Sequence, residues 1–579
     1  MPFVNPFSKQ DRHEFPGVLV PLSSARAHSK SSPDPEKKVG PDDKTDTGSI
    51  DRASSAENGV GSVHSHQLSQ DGPLTLEILR AEVENDVVDS GHDSAYDRKS
   101  KVINRAVQDI GMGRYQWELF ALCGFGWLAD NLWLQGIALT LPQLSLEFGV
   151  DENNVRFTTC ALFLGLCLGA SFWGIASDII GRRPAFNLTL FITGAFGLAS
   201  GGGPNWVGTC ALFACLGLGV GGNLPVDGAL FLEFLPFASG NLLTMLSVWW
   251  PVGNLISSLL AWAFIPNYSC SEEGPCRRED NMGWRYLVIT LGALTFVMFM
   301  CRFFLFHLYE SPKFLLSRGR QDDAVTAVQG IAYRNRTKTW LTVDILNEVG
   351  GYPEQATHQD LSNKAIVQRY MSKFSLERIR GLFATKKLGI TTVLLWFCWT
   401  TIGMGYPLFN AFLPQYLQRS GGGETQPPSI VYRNYAITSI VGVPGSILAC
   451  FTVDIKYIGR KGTMIISTLI TGVLLFCFTA STDPDIQLLC SSLEAFFQNI
   501  MYGVLYAYTP EVFPAPNRGT GTGISSCLNR IAGLCAPLVA IYGGSANADA
   551  PIYASGGLML AAFVAMVLLP IETRGRQSL

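Results

Sequence analysis

Asp130, Asp227, Glu494 and Arg530 each stand inside a long run of apolar residues. Ionisable groups in such surroundings must be paired, hydrogen-bonded or wetted, so each is a candidate for holding or moving charge. A carboxylate kept from water can exchange a proton near neutral pH. A guanidinium cannot discharge by losing a proton and needs an anion or water. Proton exchange at Asp130 or Asp227, and fork-like capture of a carboxylate at Arg530, are the chemistry these residues offer. Structural readings stand beside the functional ones: Asp130 as a capped or paired acid, and Arg530 as half of an ion pair with Asp130 or Asp227. Asn131 with Gln135, Asn223 with Asp227, and Glu494 with Gln498 are polar pairs at a spacing of four, each on one helical face. Such faces turn to a wet cavity or bond between helices. Trp249, Tyr406 and Asn410, with Trp133, Trp250 and Trp399, could line a binding site or serve in packing and interfacial belts.

The elements that position these residues are apolar blocks of roughly twenty residues, long enough to cross about 30 Å of hydrocarbon as helices. Of 579 residues, 48% are apolar and only 15% charged, and the blocks number about twelve. The fold class is therefore all-α and membrane-embedded, with the lipid bilayer as an obligate partner. A net charge of −3 offers nothing to nucleic acid. The cysteines lie mostly singly within apolar runs, without Cys-x-x-Cys or His clusters, so no metal or other cofactor is expected. No nucleophile elbow or phosphate loop suggests an enzyme. The N-terminus has no apolar core of a cleavable signal, and the first span is expected to serve as its own.

Residues 1–96 are rich in Ser, Asp, Gly and Pro and read as a disordered tail open to phosphorylation. Residues 97–115 carry apolar side chains at helical spacing, as expected for an amphipathic helix lying on the membrane before the first span. Six spans fill 116–306, a linker rich in Lys and Arg covers 307–387, six more spans fill 388–571, and 572–579 form a short tail. The basic linker and the basic short loops put that face, with both termini, in the cytoplasm. Asn267-Tyr268-Ser269 is a glycosylation sequon in a loop on the opposite face, where Cys270 and Cys276 could form a disulfide. Further sequons occur at Asn187, inside a span, and at Asn335, inside the linker.

The halves repeat one another at an offset of about 270 residues. Leu141-Pro142-Gln143 answers to Leu413-Pro414-Gln415, and Gly181-Arg182-Arg183 to Gly459-Arg460-Lys461. Glu233-Phe234-Leu235-Pro236 answers to Glu511-Val512-Phe513-Pro514, and Glu310-Ser311 to Glu572-Thr573. The register sets Ile402 opposite Asp130 and Leu505 opposite Asp227, so neither acid belongs to the shared scaffold. Two six-helix units in parallel repeat form the plan of transporters that bind solute between their halves.

Asp178-Ile179-Ile180-Gly181-Arg182-Arg183 resembles the D-x-x-G-R-R loop motif of the major facilitator superfamily. Tyr309-Glu310-Ser311-Pro312-Lys313 and Pro570-Ile571-Glu572-Thr573-Arg574-Gly575 resemble segments of its sugar-porter branch. Gly126 to Asn131, Gly221 to Asp227 and Glu233 to Pro236 are similar to fungal transporters of the synaptic-vesicle-type and organic-acid branches. The resemblance covers roughly residues 100–575 and implies two six-helix bundles in pseudo-twofold repeat. It also implies a secondary active transporter, working as a monomer in the plasma membrane on a small-molecule solute coupled to protons. Export of a metabolite, or nutrient sensing without transport, are the alternatives. Asp178, Arg182, Arg183, Glu233, Glu310, Arg460, Glu511 and Arg518 are expected to pair at span ends and hold the inward side shut. Departures exist: Lys456 stands where the second loop motif should have its acid, and the usual fourth-span Arg is replaced within Leu212-Phe213-Ala214-Cys215.

Overall fold

The computed structural model describes residues 15–25, 73–90, 95–236, 242, 245–270, 276–352, 376–419, 427–453, 455, 458–513, 518–544 and 549–573. Most of the expected tail, the Asp454 and Lys456 positions, and the side chains of Asp178 and Arg518 lie outside the described residues. Helices α1 (Leu76–Ser90) and α2 (Ala95–Ile110) precede the first bundle. That bundle is α3 (Arg114–Phe148), α4 (Phe157–Ile180), α5 (Arg182–Ser200), α6 (Trp206–Phe234), α7 (Trp249–Tyr268) and α8 (Gly283–Met300), the last running on into a π turn, Cys301–Leu305. Short helices α9 (Pro312–Ser317), α10 (Gln321–Arg334), α11 (Val343–Gly350) and α12 (Leu376–Gly381) occupy the linker. The second bundle is α13 (Lys386–Asn410), α14 (Leu413–Arg419), α15 (Pro428–Thr452), α16 (Gly459–Ala480), α17 (Pro484–Val512), α18 (Arg518–Gly544) and α19 (Ala550–Leu568).

Among the described residues, ten helices are long and apolar enough to cross a membrane. The remaining long helices at span positions are α3, interrupted by Asp130, Asn131 and Gln135, and α5, which opens on Arg182 and Arg183. Both are packed inside the bundle, α3 against α7 and α5 against α6 and α8, so they complete six spans per half. Outer faces present Leu168, Phe172, Val297, Phe451 and Val564, as lipid contact requires.

Local chemistry sets the ends. Asn205, Thr385 and Asp483 cap α6, α13 and α17 by accepting from backbone N–H groups. Gly149 ends α3 in the left-handed region at φ 62°, donating to Ser145. Pro142 sits inside α3, which continues to Phe148. Where α4 crosses α6, Gly165, Gly217 and Gly221 let the backbones meet, since a Cβ at any of them would collide with a carbonyl of the facing helix.

Packing repeats between halves. Contacts of α4 with α6, α5 with α6, α5 with α8, and α3 with α7 recur as α15 with α17, α16 with α17, α16 with α19, and α13 with α18. The bundles meet through α7 against α15 and α4 against α18.

Beneath the first bundle a second apolar core joins α2 to the linker helices: Val102, Ile103, Ala106 and Val107 pack with residues such as Val328, Ile331 and Leu346. The amphipathic face expected to lie on lipid is therefore spent on protein, because periodicity marks an apolar stripe without naming what covers it. Two stretches of the segment read as disordered are ordered as well. Helix α1 packs on α2 and α11, with Arg80 donating to the Glu348 carbonyl at 2.9 Å, and Val18 and Val20 pair with Thr339 of the linker.

Candidate functional site

On the linker side, each half builds the same charge network. The Glu310 carboxylate sits over the N-terminus of α5, accepting from the backbone N–H groups of Arg182 at 2.9 Å and Arg183 at 3.3 Å. Exposed N–H groups and the helix dipole make that end a natural seat for an anion. Burial pushes the Glu310 carboxyl up from its ordinary value, against the backbone donors of Ser311, Arg183 and Arg182. Arg182 then reaches Ser177 at 2.8 Å and Glu233 of α6 at 3.6 Å. In the second half, Glu572 accepts from the backbone of Arg460 at 3.2 Å and Lys461 at 3.1 Å, and Arg460 pairs with Glu511 of α17. These ion pairs tie neighbouring helices within one bundle.

Deeper in the first bundle, Asp227 pairs with Arg302 of the π turn at 2.6 Å, both fully buried. Arg302 also donates to the carbonyls of Leu122 and Phe186 and lies 3.7 Å over the Phe186 ring. Gly126 makes room, since a Cβ there would come within 2.9 Å of Arg302 Nη2 and press on the Asp227 carboxylate. Of the partners open to Arg530, Asp227 is already taken: it is held by an arginine of its own half. Sequence reading missed Arg302 because it lies at the end of an apolar run, where an arginine looks like the ordinary cytoplasmic flank.

Asp130 is different. It is buried in α3, makes no ion pair among the described residues, and its Oδ1 has no hydrogen-bond partner. The charges acting on it are those of Arg530, in α18 of the other half, and Asp227. Arg530 is only partly buried, and the charges of both Asp130 and Arg530 reach Tyr506. Trp127, one turn from Asp130, stacks on Trp250 at 4.7 Å, and Tyr506 meets Trp250 at 4.8 Å and Trp399 at 4.7 Å. An aromatic layer from both halves thus borders Asp130 on the linker side. Trp127 and Tyr506 were not singled out from sequence, since one aromatic in a span is usually packing. Trp249 lies apart from this layer, against Phe120 and Phe125 of its own half.

On the other side of Asp130 the halves touch through polar groups. Tyr406 donates to Asn131 at 3.5 Å and Tyr435 to Gln135 at 3.2 Å. Asn410 donates to Gln498 at 3.1 Å and lies beside the buried Glu494. Asn223, buried in α6, has neither its oxygen nor its nitrogen satisfied. The structure therefore gathers Asp130, Asn131, Gln135, Tyr406, Asn410, Glu494, Gln498 and Arg530 along the seam between halves, and leaves Asp227 and Trp249 within the first.

The far end of the seam is closed. Arg156, at the start of α4, is buried, donates to Gln415 at 3.1 Å and to the Ala540 carbonyl at 2.8 Å, and lies over Phe412. Tyr432 reaches the Leu139 carbonyl at 2.9 Å, and Ser258 meets Ser439 at 2.9 Å. On the same side Cys270 and Cys276 are disulfide-bonded beside the exposed Asn267. Asn335 instead accepts from the Tyr115 backbone at the start of α3, and Asn187 lies inside α5.

Comparison with known proteins agrees with this architecture. The sequence model of the Major Facilitator Superfamily matches residues 121–455 and 434–578. A relative named MFS siderochrome iron transporter 1, from Ceriporiopsis subvermispora, is 45% identical over 526 residues, covering 90% of this chain and 99% of its own. Synaptic vesicle 2-related protein of Xenopus laevis is 27% identical, with 90% of each chain covered. Among solved structures, the xylose transporter XylE from E. coli, in a partially occluded inward-open conformation, matches with a TM-score of 0.59 at 17% identity, over 80% of this chain and 99% of that one. The chain is a multi-pass membrane protein and belongs to the Major Facilitator Superfamily of transporters.

Proposed function

We propose that the protein carries a small organic solute by alternating access, coupled to protons through Asp130, with Arg530 meeting an anionic group on the solute. Asp130 carries this reading: a buried carboxylate at the seam, lacking an ion-pair partner among the described residues, within reach of the charge of a partly exposed guanidinium of the other half. Rocking of the halves changes the distance between those charges, so proton occupancy of Asp130 and solute occupancy near Arg530 become linked. Asn131, Gln135, Tyr406, Asn410, Glu494 and Gln498 supply the polar wall that orients the solute, and the aromatic layer is the inner boundary.

The basic linker places its side, with both termini, in the cytoplasm of a plasma-membrane protein. The Arg156 seam is then the closed outer gate, and Asn267 is a glycan site on the outer face. An endoglycosidase-sensitive mobility shift that vanishes in Asn267→Gln supports this orientation; an unglycosylated Asn267, with tags at the linker labelled from outside, contradicts it. All the proposed site residues lie within one chain, which suits a monomer.

Uptake into proteoliposomes, against a panel of monocarboxylates, sugars and vitamins at two pH values, tests the reading. We expect an anionic solute to accumulate with an inward proton gradient, and Arg530→Gln to weaken its binding by about 2 kcal/mol. Unchanged affinity in that variant removes Arg530 from the site. Efflux driven by the opposite gradient would make the protein an exporter. A second reading, transport of an iron-loaded siderochrome, is favoured by the name of the 45% identical relative; accumulation of a ferric siderochrome alone would select it.

A further inference from the structure

A cavity of about 430 Å³ opens where the linker meets the first span, lined by Arg114, Tyr333, Arg334, Arg336, Lys338 and the Pro16–Val18 segment. No acid is among its lining residues. Glu118, one turn into α3, holds Arg114 at 2.7 Å and Arg334 at 3.1 Å, fixing two guanidinium groups at the rim. Arg336 and Lys338 are exposed and have no hydrogen-bond or ion-pair partner among the described residues. Four cations against one carboxylate leave a strong positive field in a concave site.

Two further observations say this concentration is built. Helix α10 ends by turning into the left-handed region, and the residue that adopts it is Arg336, at φ 56°, where glycine would sit without strain. Among the described residues it is the one non-glycine residue with positive φ, a backbone state that costs a side chain strain, and that residue lines the cavity. The far wall is also deliberate: Thr339 donates to Val18 at 2.9 Å and accepts from Val20 at 3.1 Å, which pins the N-terminal segment across the opening. Arg114 begins the first span, and Trp117, one turn on, is 49% exposed, as an interfacial tryptophan would be. The cavity therefore lies at the level of lipid headgroups.

We infer that this cavity binds a terminal phosphate group, carried by a membrane lipid headgroup or by a soluble phosphorylated compound. Arg336 and Lys338 supply the unpaired charges, Arg114 and Arg334 the fixed ones, and the pinned N-terminal segment forms the far wall.

The test uses the full-length protein in nanodiscs of phosphatidylcholine alone, with added phosphatidylinositol 4-phosphate, or with added phosphatidylserine at matched charge, and native mass spectrometry counts retained lipids. Inositol 1,4-bisphosphate in solution forms the second arm. Selective retention of the phosphoinositide identifies the lipid as the source; equal binding of the soluble compound without anionic lipid identifies a free phosphate. In either case the Arg336→Gln, Lys338→Gln double variant should bind about 30-fold more weakly, with unchanged melting temperature because both side chains are exposed and unpartnered. Phosphatidylserine retained as well as the phosphoinositide would show bulk charge attraction only and overturn the site. So would a double variant that binds like the parent, or a parent that binds neither probe.

Discussion

The linker-side ends of the two bundles are nearly copies, and their middles are not. Glu310 over α5 matches Glu572 over α16, and the Arg182–Glu233 pair matches Arg460–Glu511. At mid-membrane, Asp130 faces Ile402 in the repeat and Asp227 faces Leu505, and the register joining Glu233 to Glu511 sets Glu494 opposite Leu216. Repeated charges brace helices inside each half, a task both halves share. Unrepeated ones are of two kinds: Asp227 is neutralised in place by its ion pair with Arg302, whereas Asp130 makes no ion pair among the described residues. A cost of several kcal/mol for an unpaired buried charge is retained only where something uses it.

The largest expected effect falls on the paired acid. Arg302→Leu strands a buried carboxylate and should cost about 3–5 kcal/mol of stability, seen as lost surface expression and a lower melting temperature. Adding Asp227→Leu should restore most of that loss, because two apolar groups replace the pair. A double variant as unstable as the single would mean that Arg302 acts through its carbonyl and aromatic contacts instead. A smaller effect sharpens the repeated side. Glu310→Gln and Glu572→Gln should each cost about 1–2 kcal/mol, and by similar amounts. A large inequality would break the symmetry, showing that one cap belongs to the gate and the other to the scaffold.

The spans, the repeat and the network members Arg182, Glu233, Glu310, Arg460 and Glu511 were legible because membrane thickness and motif spacing are local constraints. Glu572 was legible only as a repeat partner of Glu310, and its cap appears once α16 is folded against α19. What spacing could not supply was partnership across the chain. Asp227 finds Arg302 some 75 residues away, and Arg156 meets Gln415 and Ala540 from the other half. No local pattern distinguishes such arginines from loop charges. The α2 stripe was read as lipid-facing for the same reason: an apolar face looks alike whether lipid or protein covers it.

The central claim is that the unpaired, unrepeated Asp130 carries the coupling proton. Purified Asp130→Asn in proteoliposomes, loaded with the solute found by the uptake panel, should exchange that solute across the membrane at equal concentrations. It should fail to concentrate it when an inward proton gradient is imposed, whereas Glu494→Gln still responds to the gradient. An Asp130→Asn protein that accumulates solute in proportion to the gradient would contradict the account.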